Sequence, residues 1–115
     1  MSRLTTHILD TAHGAPASGV SVRLRAAGSD AILAEGVTDA DGRLDRPLLE
    51  GAAMQAGAYV LDFAIADYFR ARGVRLAEPP FLDRVLIAFA IADAGAHYHV
   101  PLLVSPYGYS TYRGS

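Results

Sequence analysis

Apolar and polar residues alternate along much of this chain, and this period of two predicts strands that bury one face. The pattern is clearest in Val20–Arg25, where valine and leucine alternate with serine and arginine. Two longer runs, Ala58–Ala66 and Val85–Ile91, place a large apolar residue at every second position. Ala31–Thr38 is a weaker strand candidate. Because no helical period is sustained, we predict an all-β sandwich of six to eight short strands.

Two short segments interrupt the strand pattern. Asp67–Gly73 begins with an acid and ends with a glycine, so we predict about two turns of helix there. Asp39–Gly42 combines acidic residues with glycine and predicts a tight turn that leaves Arg43 directly behind it. The sequence has no repeat, low-complexity tract or linker, so we predict a single domain over residues 1–115.

Composition excludes several classes of function. Charged residues make up 19% of the 115 residues and the net charge is −2, so no strong field favours nucleic acid or a membrane surface. We therefore expect a small molecule or a protein as partner. The absence of cysteine excludes disulfides, a thiolate nucleophile and cysteine metal sites.

Targeting signals are also missing from the sequence. No signal-peptide pattern precedes the first strand, and no window approaches the ~20 apolar residues of a spanning helix. The ending Arg113-Gly114-Ser115 differs from the Ser-Lys-Leu peroxisomal signal. We expect a cytoplasmic protein.

Histidine and arginine side chains are the candidates for chemistry. A histidine titrates near neutral pH and suits general acid or base catalysis, but this property alone does not distinguish His7 and His99 from the other two histidines. Arg43 offers a planar charged fork for a polar or anionic group. Each has a structural alternative, namely a hydrogen-bonded strand histidine or a solvated arginine beside a turn. The residue pattern alone leaves both possibilities open.

A metal site is the other reading of the histidines. His97 and His99 lie two residues apart, so on a strand they face one side, and His7 is a possible third ligand. No further ligand spacing supports this, and we predict neither metal nor cofactor. His13 is predicted to be a solvent-facing loop residue. The chain also lacks a nucleophile-elbow serine, which argues against a covalent serine hydrolase.

Four segments resemble the hydroxyisourate hydrolase branch of the transthyretin-like family. They are Leu4–Asp10, Asp41–Arg43, His97–Leu103 and Tyr107–Ser115, and together they follow the family order along the whole chain. The resemblance implies a transthyretin-like, or prealbumin-like, eight-stranded β-sandwich with one short α-helix. It also implies a homotetramer, built as a dimer of dimers, with active sites in clefts between subunits.

The resemblance further implies an activity. It is the hydrolysis of 5-hydroxyisourate, a product of urate oxidation, to 2-oxo-4-hydroxy-4-carboxy-5-ureidoimidazoline, without metal or cofactor. The family's catalytic positions fall on His7, Arg43 and His99. We expect His99 to activate water, His7 to contact substrate and protonate the leaving nitrogen, and Arg43 to stabilise charge on oxygen. The division of roles between the two histidines stays open.

The C-terminal tail completes the implied site. Substrate-binding positions of the family fall on His7, Arg43 and the terminal residues Tyr112, Arg113, Gly114 and Ser115. We expect the phenol of Tyr112 to bond a ring carbonyl, whereas Arg113 and the terminal carboxylate either line the pocket or lock a subunit contact. Tyr107 and Tyr109 are expected to be structural.

Two further alternatives belong to other functional classes. A transthyretin-type carrier would use the same fold to bind a small apolar ligand, but buried histidines and arginine would be costly against such a ligand. A β-sandwich interaction module would leave the polar residues unexplained. Within the enzyme reading, Arg46 is a minor rival of Arg43, and Asp45 is expected to pair with one of them and tune it.

Overall fold

The computed structural model describes residues 2–115, which form nine strands in two sheets and one α-helix. The first sheet contains β1 (Arg3–Asp10), β2 (Ala15–Pro16), β5 (Leu49–Glu50), β8 (Tyr98–Ser105) and β9 (Gly108–Thr111). The second contains β3 (Ser21–Ala26), β4 (Ile32–Val37), β6 (Gly57–Ala64) and β7 (Arg84–Ile91). Helix α1 spans Ile65–Ala71. No helix within residues 2–115 is long and apolar enough to cross a membrane.

One parallel pair organises the first sheet. Its strands follow the order β2-β1-β8-β9, with β5 also pairing with β1, and the second sheet follows β4-β3-β6-β7. Among the described strands every pairing is antiparallel except that of β1 with β8. The register of this parallel pair sets Thr5 beside His99 and His7 beside Pro101. The start and the end of the chain therefore lie side by side.

The core lies between the two sheets, where the inward faces of their strands meet. Its fully buried side chains come from both sheets and from the helix, and include Leu4, Ile8, Leu24, Leu61, Phe63, Phe69 and Leu102. Burial of each such side chain contributes about 1.5–3 kcal/mol. In β1 the exposed or half-buried positions alternate with buried ones, so Arg3, Thr5 and His7 point away from the core. The outer face of the first sheet is thereby left with polar side chains.

The sandwich predicted from the alternation is confirmed, with small differences in its elements. The structure has nine strands in the described region, one more than the eight expected, and two of them, β2 and β5, are only two residues long and pair with β1. The single helix begins at Ile65, two residues before the predicted start, because Ile65 and Ala66 are buried and turn towards the core. The strand predicted over Ala58–Ala66 accordingly ends at Ala64. Gly73 follows the C-cap with φ +81°, as the predicted glycine stop requires.

A buried carboxylate ties the start of the chain to the helix. Asp10 is 1% exposed and accepts hydrogen bonds from Tyr68 Oη at 2.7 Å and from the His13 amide at 3.0 Å. His13 Nδ1 also bonds Oδ2, the oxygen that accepts from Tyr68, while His13 stays exposed in its turn, as the sequence predicts. Burial alone raises the pKa of Asp10, but the hydrogen bonds outweigh it and the net pKa is lowered. Burial of Tyr68, followed by its hydrogen bond to Asp10, raises the pKa of Tyr68 to about 12, so the phenol stays protonated and donates.

We expect Tyr68→Phe to lower the free energy of unfolding at neutral pH by about 1–3 kcal/mol, since Asp10 loses a buried donor. Because the folded pKa of Asp10 is lowered, its contribution is present above the unfolded value of 3.8 and disappears as pH falls through the folded value. Urea unfolding at pH 7 and pH 3 measures both effects, and the difference between variant and wild type should narrow in acid. Tyr107→Phe, at a side chain 67% exposed, is the control and should change stability by less than about 0.5 kcal/mol. An unchanged Tyr68→Phe would contradict this account.

Candidate active site

A polar cleft of about 490 Å³ lies on the outer face of the first sheet. Side chains from both ends of the chain and from the segment after the predicted turn form it, among them Arg3, Arg43, Arg46, His97, His99 and Ser115. It is therefore lined by three arginines and two histidines, against the single acidic side chain of Asp45 and the C-terminal carboxylate. Such a cleft suits a polar ligand that carries or develops negative charge.

His99 is held at the floor of this cleft by the parallel register. Its Nδ1 lies 2.8 Å from Thr5 Oγ1, a contact between residues 94 positions apart. Burial first, then the positive charges of Arg43 and His7, lower the pKa of His99 from its ordinary 6.5. The imidazole therefore stays neutral near pH 7 and is available as a base.

The predicted turn at Asp39–Gly42 positions Arg43. Asp39 Oδ1 accepts the amide N–H groups of Asp41 at 2.9 Å and Arg43 at 3.1 Å, which closes the loop around one carboxylate. Gly42 has φ +76°, and a Cβ there would lie 2.4 Å from the carbonyl oxygen of Ile8. Only glycine therefore lets the turn lie against β1. As a result the backbone of Arg43 forms an antiparallel bridge with His7.

His7 lies beside the cleft rather than in its lining. Its Nε2–H donates to the carbonyl oxygen of Asp41 at 2.8 Å, so one ring nitrogen holds the turn that carries Arg43. No second hydrogen bond to the ring of His7 is formed by the described residues, which leaves Nδ1 free. His7 also lies close enough to the cleft to contribute to the lowered pKa of His99, after burial and Arg43.

Arg43 carries its charge into the cleft without an acidic partner. Within residues 2–115 the ion pairs involve Arg25, Arg70, Arg84 and His13, whereas the guanidinium groups of the cleft have none. Asp45 consequently does not pair with Arg43 or Arg46, contrary to the expectation. An uncompensated guanidinium is ready to bind a carbonyl or an anion.

The C-terminal tail lies across β8 next to His99. The amide of Gly114 donates to the carbonyl oxygen of His99 at 2.7 Å. Arg113 Nη2 donates to the carbonyl oxygen of His97 at 3.0 Å, and its guanidinium lies 4.1 Å from the ring centre of Tyr98. These contacts bring Ser115, the last residue, into the cleft lining.

Gly114 is in direct contact with the imidazole of His99. A Cβ on Gly114 would lie 2.7 Å from His99 Cδ2 and 3.4 Å from its Cγ, closer than van der Waals contact allows. The ring edge opposite Thr5 is thus backed by the main chain of the tail. Any larger residue at this position has to displace the tail or rotate the histidine.

Comparison with known proteins fits this arrangement. The sequence profile of the HIUase/Transthyretin family matches residues 4–114. The chain belongs to this family. It is 56% identical to the 5-hydroxyisourate hydrolase of Ralstonia nicotianae over 119 residues, which cover 100% of both proteins.

Solved structures of a 5-hydroxyisourate hydrolase and of a transthyretin both share this fold. The structure of Klebsiella pneumoniae 5-hydroxyisourate hydrolase superimposes with a TM-score of 0.82 at 40% identity, over 100% of each chain. Transthyretin from Sparus aurata gives a TM-score of 0.85 at 30% identity, over 99% of this chain and 97% of its own. Because both superimpose well, the shared fold alone does not separate a 5-hydroxyisourate hydrolase from a transthyretin.

The cleft gathers some of the residues expected from the family and not others. Arg43, His99 and Ser115 line it together. Tyr112 does not; its side chain is 60% exposed and, with Arg113, borders a second cavity of about 250 Å³ that is largely apolar. The role of Tyr112 as a substrate contact therefore stays a prediction.

Several cleft residues were missed by sequence reasoning, among them two on the outer face of β1. Arg3 and Thr5 line the cleft, although neither was named as a site residue. The signal for them was present, because both share the outward parity of His7 on β1. His97 lines the cleft as well, whereas its spacing from His99 suggests only a metal ligand. Within residues 2–115 no cluster of three or more His, Cys, Asp or Glu side chains is arranged to hold a metal ion.

We expect Gly114→Ala to reduce hydrolytic activity by about 10- to 100-fold, because the added methyl displaces the ring of His99 or the tail against it. Steady-state kinetics on 5-hydroxyisourate measure the effect. Gly108→Ala is the matched control, since a Cβ there meets only Ser105 Oγ at 3.9 Å and should leave activity unchanged. Equal activity of the two variants would mean that the contact between Gly114 and His99 has no catalytic consequence.

Proposed function

We propose that this member of the HIUase/Transthyretin family hydrolyses 5-hydroxyisourate to 2-oxo-4-hydroxy-4-carboxy-5-ureidoimidazoline, a step of urate degradation. The observation that carries the proposal is that one cleft contains both His99, whose pKa is lowered, and Arg43, whose guanidinium has no acidic partner in the described chain. The relative from Ralstonia nicotianae, 56% identical and named 5-hydroxyisourate hydrolase, supports it. The cytoplasmic location remains a prediction of the sequence.

His99 is the proposed general base. Water is a weak nucleophile near neutral pH, and a neutral imidazole at hydrogen-bond distance removes its proton as it attacks. The oxygen of that water forms a bond to a ring amide carbonyl carbon, whose oxygen gains negative charge. The carbon–nitrogen bond then breaks, and the ring nitrogen leaves with a proton. Burial and the charge of Arg43 suit His99 to the first step because they favour its unprotonated form.

Arg43 is the proposed electrostatic partner. Its guanidinium has no carboxylate partner in the described chain, so it is free for the developing oxyanion or for the carbonyl groups of the oxidised purine ring. The closed turn stabilised by Asp39 and Gly42 limits how far the backbone of Arg43 can move. Arg46 also lines the cleft but lacks this bracing, so we assign it a secondary role in attracting substrate.

His7 is proposed to have two roles. It protonates the leaving nitrogen, and it stabilises the turn that carries Arg43. The Nε2–H group is committed to Asp41, and the free Nδ1 is the atom that can carry the proton for the departing nitrogen. The tail is proposed to complete the binding surface, with Ser115 in the cleft and Arg113 and Gly114 holding it there.

A homotetramer, built as a dimer of dimers with its sites at subunit contacts, is part of the proposal. Exposed aromatic and aliphatic side chains support it: Tyr109 and Leu86 lie on the edge strands β9 and β7 and are 47% and 50% exposed. Tyr112 is also exposed, and we assign its contact with substrate to the assembled tetramer. Pairing of β7 and β9 with strands of a neighbouring subunit would also give hydrogen-bond partners to the backbone groups along these two edges.

A carrier of small apolar ligands is the alternative function, favoured only by the likeness to transthyretin. The cleft argues against it, because three arginines and two histidines would lose hydration against an apolar ligand without receiving partners. A hydrolase needs the same side chains. The enzyme is therefore the better account of this site.

The proposal is tested by generating 5-hydroxyisourate from urate with urate oxidase and following its ultraviolet decay. We expect wild-type protein to accelerate the decay well beyond the spontaneous rate. His99→Ala should lower kcat/KM by about 100-fold or more, since the base is lost. Arg43→Ala should lower it by about 100- to 1000-fold, since the oxyanion loses its counter-charge.

Matched controls separate chemistry from folding. Arg75→Ala removes an exposed arginine that lies outside the cleft and should retain wild-type kinetics. Circular dichroism and size-exclusion chromatography show whether each variant keeps its fold and assembly. Decay no faster than the spontaneous reaction with wild-type protein would overturn the enzyme and favour the carrier.

A further inference from the structure

The imidazole ring of His99 is held at Nδ1 and Cδ2, the two ring atoms bonded to Cγ. Thr5 Oγ1 lies 2.8 Å from Nδ1, and the main chain of Gly114 covers Cδ2 on the other side. An imidazole fixed at Nδ1 and Cδ2 has only Nε2 and Cε1 left to face the cleft that His99 lines. The position of the reactive nitrogen is therefore determined by two residues that do no chemistry themselves.

The contact with Thr5 follows directly from the strand register. Thr5 and His99 are aligned partners in the parallel pair of β1 and β8, and both side chains point to the outer face. In this register their side chains are neighbours whatever else the cleft contains. A β-branched side chain also has few rotamers, so the hydroxyl of Thr5 is held in place with little loss of entropy.

The hydrogen bond between these two side chains can run in either direction. A hydroxyl both donates and accepts, and a neutral histidine carries its proton on one nitrogen only. Arg43 lines the same cleft, and its positive charge lowers the pKa of His99. The positive charge of Arg43 therefore favours a ring nitrogen with a lone pair, rather than one that carries a proton, on the edge of His99 that faces the cleft. Thr5 also lines the cleft, so its own hydroxyl proton has solvent or substrate as a partner.

We propose that Thr5 is a positioning residue that accepts the Nδ1–H of His99 and so keeps the lone pair of Nε2 directed into the cleft. The inference rests on the proposed hydrolysis, in which Nε2 takes the proton from water. A histidine in the other tautomer would present N–H to that water and could not act as its base. Thr5 thus determines which ring nitrogen is basic without touching the reacting atoms.

Two variants of Thr5 test this assignment. Thr5→Val keeps the shape and removes the hydroxyl, and we expect kcat on 5-hydroxyisourate to fall by about 10- to 100-fold with KM changed little. Thr5→Ser restores the hydroxyl and should recover kcat to within about threefold of wild type. Thr11→Val is the matched control, since Thr11 Oγ1 donates to Val104 on β8 at 3.1 Å, away from the cleft. It should leave kcat unchanged.

A second readout reports the tautomer without reference to activity. Proton–nitrogen correlation spectra of the histidine rings distinguish Nδ1–H from Nε2–H, with His99→Gln to assign the signal. We expect Nδ1–H for His99 in wild type and Thr5→Ser, and loss of this preference in Thr5→Val. An Nε2–H signal in wild type, or full kcat in Thr5→Val, would overturn the proposal.

The two readouts also separate this proposal from the proposed function. Wild-type protein that fails to hydrolyse 5-hydroxyisourate but shows the Nδ1–H tautomer would overturn the hydrolase while supporting the contact assigned to Thr5. Active wild-type protein with the Nε2–H tautomer would support the hydrolase and overturn the role of Thr5.

Discussion

The parallel pairing of β1 with β8 is the constraint on which the site depends. It joins residues 94 positions apart in a fold whose other described pairings are antiparallel, and it does so through a register of seven residue pairs. Inward side chains such as Leu4 and Leu102 belong to the core, so the register cannot slip by one residue without exposing them. The same register fixes Thr5 beside His99 on the outer face. Stability of the core and geometry of the cleft therefore depend on one alignment.

The turn before Arg43 and the C-terminal tail complete the site that this strand pairing creates. The turn that ends at Gly42 brings Arg43 beside β1, and the tail is held on β8 through its own backbone and through Arg113. Both additions act on His99: one lowers its pKa through positive charge, and the other restricts the ring by contact. A histidine that is partly removed from solvent and lies close to the charge of Arg43 is kept neutral, which is what activation of water requires. In an isolated strand the same residue would be an ordinary histidine.

The sequence predicts what local pattern determines and misses what long-range pairing determines. Alternation identified the core strands around Phe63 and Ile87, and acidic residues with glycine identified the turn before Arg43, because both are local properties. Alternation assigns a face but not a neighbouring strand, so the contact of Thr5 with His99 was not foreseen. The bond from the exposed His13 to the buried Asp10 was not predicted, because a loop position does not indicate which side chain its residue contacts. The family resemblance supplied His7, Arg43 and His99 as site residues, but it could not say that Tyr112 lies outside the cleft of a single chain.

The central claim is that this cleft keeps His99 neutral so that it can act as a base. A titration of the His99 ring protons by NMR, in wild type and in Arg43→Gln, tests it most directly. The account predicts a wild-type midpoint below the ordinary value of 6.5, and an upward movement of the midpoint when the charge of Arg43 is removed. A wild-type midpoint at or above 6.5, unmoved in Arg43→Gln, would contradict it.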